Sequence, residues 1–136
     1  MIQGWHDDDY IILFEEQSES VAMTERYAAK DSLPGYTIVG IRGWDDFILR
    51  DADGLLYTVP TVPLAAEHLR PYGFDVASAI LRADSRVADM IKWYVQSIIF
   101  GGDPLSQQNI AWITLDQHVD AVKWWNTKYR ESKRAS

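Results

Sequence analysis

The stretch "YTIVGIRGWDDFILRDADGLLYTVP", Tyr36 to Pro60, decides how the chain folds. It contains three short runs rich in β-branched and aromatic residues, Tyr36 to Ile41, Asp46 to Arg50 and Leu55 to Val59. Such residues suit a pleated, half-buried surface better than a helix. The second and third runs are separated by Asp51-Ala52-Asp53-Gly54, where Asp-Gly marks a tight turn because glycine tolerates positive φ. The first and second are joined through Arg42-Gly43-Trp44-Asp45. An antiparallel meander follows.

Outward from this core, "YIILF" (Tyr10 to Phe14) reads as a further strand. Val21, Met23, Tyr27 and Ala28 share a loose helical face, predicting a helix from Ser18 to Ala29. "DSLPG" ends it, because Pro34 disfavours helix at Leu33 and Gly35 permits a turn. Downstream, "PTVPLAAEHLRPYGF" has three prolines and predicts a loop around a short helical turn. From Asp75, the positions Val76, Ala79, Ile80, Val87, Met90, Ile91, Tyr94, Val95 and Ile98 recur at three- and four-residue spacing. They predict helix, divided near Asp84 or Ser85 and stopped at Phe100-Gly101-Gly102-Asp103-Pro104. "NIAWI" (Asn109 to Ile113) predicts a strand. Thr114 and Gln117 stand at capping-box spacing, so a last helix should begin near Leu115, with Leu115, Val119, Val122, Trp125 and Tyr129 on one face. The terminal "ESKRAS" should fray. The expectation is one α+β domain over 1–136, its antiparallel sheet, with the Asp-Gly hairpin, packed against helices.

The chain has 136 residues, with 13 Lys and Arg against 20 Asp and Glu, a formal charge of −7. Through Pro60 there are 12 acidic and 4 basic residues, and beyond it 8 and 9. An acidic half argues against direct binding of nucleic acid, which needs clustered cations. It suits solubility, or attraction of a basic partner. Absence of cysteine removes disulfides, thiolate nucleophiles and thiolate zinc sites. No run approaches the length of a membrane span, and the opening residues lack the pattern of a secretion signal. A cytoplasmic protein is expected.

Two Gly-Trp patches rich in aspartate, Gly4-Trp5-His6-Asp7-Asp8-Asp9 and Gly43-Trp44-Asp45-Asp46-Phe47, frame the functional question. Consecutive aspartates in extended backbone point to opposite faces and are usually solvated, which weighs against paired-carboxylate catalysis. Asp51 and Asp53 precede Gly54, but too few oxygen ligands follow for a calcium loop. His68 and His118 lack metal-ligand spacing, and His118 reads as a packing or hydrogen-bonding residue. There is no nucleophile elbow, Walker loop or dinucleotide fingerprint. No metal and no cofactor is expected. Six Trp and seven Tyr are many for this length. Trp93, Trp112, Trp124 and Trp125 fall in or beside predicted elements, where burial is the default. Adjacent Trp124 and Trp125 point about 100° apart on a helix. Trp5 and Trp44 fall in predicted connections beside Asp. There an indole serves either as a lid on the core or as an interface anchor.

The residues Leu33-Pro34-Gly35, Ile38 to Gly40 and Tyr57 to Pro60, in the order strand, helix, break, strand and hairpin, resemble the SUKH superfamily, which groups bacterial immunity proteins with fungal cell-wall regulators. The resemblance spans the first half of the chain. Where many members carry several glycines after the strand, this chain has Arg42-Gly43-Trp44-Asp45-Asp46. The resemblance implies a non-enzymatic α+β protein that binds and neutralises a toxin, often a nuclease or deaminase, and brings no shared catalytic residues. The expected function is protein binding to a cognate, basic toxin through Trp5, Asp7, Asp8, Asp9, Trp44, Asp45 and Asp46. No nucleic acid or membrane is expected as partner. The alternatives are a structural or regulatory homodimer that buries Trp124 or Trp125, and a small hydrolase that gathers His68 or His118 with an Asp.

Overall fold

The computed structural model describes residues 1–43, 46–75 and 80–135. Among the described residues, eight strands alternate with two helices and short 3-10 turns: β1 (Ile2–His6), β2 (Asp9–Leu13), α1 (Gln17–Arg26), β3 (Thr37–Arg42), β4 (Asp46–Arg50), β5 (Leu56–Pro60), β6 (Arg70–Pro71), β7 (Ile91–Tyr94), β8 (Ile110–Ile113) and α2 (Leu115–Ala135). The first six form one antiparallel sheet in chain order, and β7 pairs with β8 in a separate hairpin. The fold is α+β, and the meander over Tyr36 to Pro60 is its centre.

Period-two alternation sorts the sheet's side chains. Tyr10, Ile12, Phe47 and Leu49 enter the main core with Met23, Tyr27, Val119 and Val122 of the helices. Ile11, Leu13 and Ile48 face the other side, where Leu56, Tyr72, Phe74 and Leu81 pack on them. Central strands buried on both faces therefore read as unbroken apolar runs. Ile38 and Ile41 both face the main core despite their odd spacing, because the β3–β4 register shifts between Ile38 and Gly40. At the β4–β5 turn Asp51 Oδ1 accepts from the Asp53 and Leu55 amides at 2.9 Å, and Gly54 takes φ +85°.

Buried polar side chains stitch α1 to the sheet. Ser20 Oγ donates to the Phe14 carbonyl at 3.1 Å. Thr24 Oγ1 donates to the Ser20 carbonyl and accepts from the Ile38 amide. The helix begins near the expected place but stops at Arg26, earlier than Ala29, because Ala28 takes the left-handed conformation at φ 56°. Thr114 and Gln117 form a reciprocal capping box: the Thr114 amide donates to Gln117 Oε1 at 2.9 Å, and the Gln117 amide to Thr114 Oγ1 at 3.2 Å. Thr114→Ala should cost about 1 kcal/mol. A lower urea midpoint at unchanged slope would show it. The helix runs on to Ala135, so Glu131 to Ala135 of "ESKRAS" are helical, and Ser136 lies outside the described residues.

Two expectations are corrected. The opening residues are not a loop: Ile2–His6 is a strand, paired along its length with β2. The segment from Asp75 to Ile98 is not helical where described; residues 76–79 lie outside the described part. Phe74 packs on the sheet face, and Arg82 pairs with Trp5 at the β1 edge through bonds of 2.8 and 3.0 Å. Asp84 then forms an Asx turn, Oδ1 accepting from the Arg86 amide. Asp89 is left-handed at φ 62°, and Ile91–Tyr94 pairs with β8. Hydrogen bonds to distant strands override the helical spacing of the apolar residues.

Candidate functional site

Because the large sheet is an up-and-down meander, its alternate connections meet at one end. The Asp7–Asp8 turn, the facing ends of β3 and β4 at Arg42 and Asp46, and the Thr61–Leu69 loop therefore share that end. Among the described residues, Asp7, Asp8 and Asp9 of the first patch and Gly43 and Asp46 of the second are brought together in this way. Asp7 is left-handed at φ 52°, and its side chain is 93% exposed, so it is a turn residue rather than part of an extended run. Asp8 is also exposed. Asp9 begins β2 and points at β3, where Arg42 Nε donates to its Oδ2 at 3.1 Å.

Arg42 is the hub of this end. Its other arm lies 3.5 Å from Asp46 Oδ2, and its guanidinium carbon sits 5.0 Å from the centre of the Tyr72 ring. Burial pushes the Asp46 carboxyl above its ordinary range; Arg42 opposes this and the Asp9 charge adds to it. One cation thus serves two carboxylates, while Asp7 and Asp8 are exposed, with His6 Nε2 3.9 Å from Asp7 Oδ2. Trp44 and Asp45 lie outside the described residues.

Trp5 does not stand in a connection, as the sequence suggested. It lies in β1, half-buried against the main core, one register pair from the turn. Its Nε1 donates to Asp84 Oδ2 at 3.0 Å, and its ring meets Tyr10 edge-on at 5.2 Å. Asp84 is also gripped by Arg86 through Nε and Nη2, and these bonds hold its carboxyl well below the usual range. With Met90, Lys92 and Trp112, Trp5 lines an open trough of about 710 Å³.

The other indoles divide by exposure. Trp93 and Trp125 are half-buried, whereas Trp112 and Trp124 are 43% and 55% exposed, against the expectation of burial. Trp125 lies 5.3 Å from Phe100, and Trp124 meets it edge-on at 4.8 Å with Lys128 above its own ring.

Beside the acidic end is a groove of about 330 Å³ between the loop after β5 and the turn after β7. Asp46 and His68 line it with Pro60, Val62, Trp93 and Ile98. His118 is elsewhere, fully buried in α2, its Nδ1 2.6 Å from the Tyr27 hydroxyl. Its expected packing role is what the structure shows. Among the described residues, no three His, Asp or Glu side chains are placed to hold a metal ion. No described helix is long and apolar enough to cross a membrane.

Sequence reading named Asp9 and Asp46 but missed Arg42, which joins them, and Asp84, which anchors Trp5. The short link between the first two β-rich runs sets Arg42 opposite Asp46, so part of this was legible in the sequence. The Trp5–Asp84 bond spans 79 positions and left no local signal. No family model, curated protein or solved structure matches the chain.

Proposed function

We propose that the chain is a non-enzymatic binding module of the immunity type that the SUKH resemblance implies. It would mask a basic partner protein, in the simplest case a nuclease toxin, through the acidic end of its sheet. The observation that carries this reading is the gathering of Asp7, Asp8, Asp9 and Asp46 at one sheet end, where Arg42 pairs with Asp9 and Asp46 and leaves Asp7 and Asp8 exposed. Carboxylates so arranged resemble a row of phosphates in charge, which is the feature a nucleic-acid enzyme is built to receive.

The test starts from the basic protein retained by the immobilised chain from the native cell. Lysine at both Asp7 and Asp8 should leave the fold intact, since both side chains are in solvent. It should slow association about tenfold at low salt and change dissociation little. Wild-type association should also fall steeply as salt shortens the Debye length from about 10 Å to about 3 Å, while the variant responds weakly. A partner bound equally well by both proteins, at any ionic strength, would refute the reading.

A further inference from the structure

The groove beside Asp46 has the build of a preorganised receptor. One wall is the Thr61–Leu64 segment, which Asn126 of α2 fastens: Nδ2 donates to the Thr61 carbonyl at 2.8 Å, and Oδ1 accepts from the Leu64 amide at 2.8 Å. The opposite wall is the 3-10 turn Ile98–Phe100. It is fixed by the buried Ser97, whose carbonyl accepts from the Phe100 and Gly102 amides, and by Asn109, which bonds both backbone groups of Gln96. A Cβ at position 102 would fall 2.0 Å from the Gln96 carbonyl oxygen, so only glycine closes this turn. Both walls are held without a ligand, which lowers the ordering cost of binding.

On these fixed walls the chain displays apolar surface it does not use. Ile98 and Ile99 are 44% and 43% exposed, and they face Pro60, Val62 and Trp93 across the groove. The volume of about 330 Å³ falls at the small end of ligand pockets, enough for one large side chain. Asp46 lines the same groove and shares Arg42 with Asp9, so apolar and acidic surfaces are continuous. An apolar cleft that opens at Asp46 onto the acidic end complements a basic segment that carries one large apolar residue.

We infer that the groove takes a Leu, Phe or Trp side chain of a basic partner segment, whose flanking Lys and Arg engage Asp46, Asp9 and the Asp7–Asp8 turn. This rests on the acidic-end reading and adds to it the anchor on which affinity depends. Interfaces of this kind place a desolvated apolar residue at the centre and charges at the rim, where they govern encounter.

The probes are amidated peptides Lys-Arg-X-Arg-Lys with X as Leu, Trp or Ser, titrated into the full isotope-labelled chain. The Leu and Trp peptides should bind about tenfold or more tighter than the Ser peptide, the yield of burying one large side chain. They should shift the Ile98 and Ile99 methyl signals and the Trp93 indole N–H. Joint Ile98→Ser and Ile99→Ser replacement, at partly exposed positions and with no change of charge, should abolish the dependence on X and leave weak, salt-sensitive binding. Equal binding of all three peptides, with shifts confined to Asp7 to Asp9, would overturn the groove and spare the acidic end. Failure of every peptide to bind, or Leu binding undiminished when the flanks are serine, would overturn the inference, the first removing support from both readings.

Discussion

Asn126→Ala is expected to lower the unfolding free energy by about 3 kcal/mol, an effect larger than the volume lost would suggest. Asn126 is 5% exposed, and its amide makes three bonds, to Thr61, to Leu64 and to the Val122 carbonyl one turn back. Truncation leaves a buried amide and a buried carbonyl of the loop without partners, and each such group costs about 1–3 kcal/mol. Asn126→Asp separates the contributions: it can still accept from Leu64 but cannot donate to Thr61, and it carries charge into the core. Both variants should melt lower, with the loop's amides exchanging faster than those of β3 and β4. A loss below about 1 kcal/mol for the alanine variant, on the same scale, would mean the loop holds its place without this residue.

Acid should weaken the fold well above the range where carboxylates titrate, through His118. Its ring is enclosed by Tyr27, Phe47 and Trp93, and burial lowers its pKa from 6.5 to about 3. A neutral ring can accept the Tyr27 hydroxyl proton at Nδ1, and burial in turn raises the Tyr27 pKa. Between pH 3 and 6.5 the unfolded chain binds a proton here that the folded chain refuses, so stability rises with pH across that window. The contribution is complete above 6.5 and disappears as pH falls towards 3. Going from about pH 7 to about pH 5 should cost about 2 kcal/mol by urea unfolding. His118→Asn, which can still accept from Tyr27 but does not titrate, should flatten that slope even if its absolute stability is lower. An equal slope in the variant would assign the acid response to other groups.

The parts of the fold legible in the sequence were those whose determinants are local. The Asp-Gly turn, the three β-rich runs that form β3 to β5 and the Thr114–Gln117 box each lie within a few residues, and each formed as read. The segment from Asp75 to Ile98 failed because its apolar spacing fits a helix, whereas its backbone is claimed by partners far away in sequence: Arg82 by β1, and Ile91–Tyr94 by β8. β1 carries little local strand signal, because Gly4 and the aspartates after it are poor strand formers and its pairing is set by β2. Within the candidate site, the acidic residues were visible one by one. Their assembly at one end depends on the order of all six strands, and the groove depends on the position of the Ile98–Phe100 turn, which local spacing does not set.

The two margins of the large sheet bear on how the chain behaves in a crowded solution. At one margin β6 is two residues long, and its Pro71 has no amide hydrogen to offer. At the other, part of the ladder of β1 is already occupied by Arg82. A foreign strand seeking to extend the sheet would find a two-residue template on one side and a partly occupied one on the other. Self-association, should it occur, would then proceed side chain to side chain across a helix or groove, and would leave the count of strands unchanged.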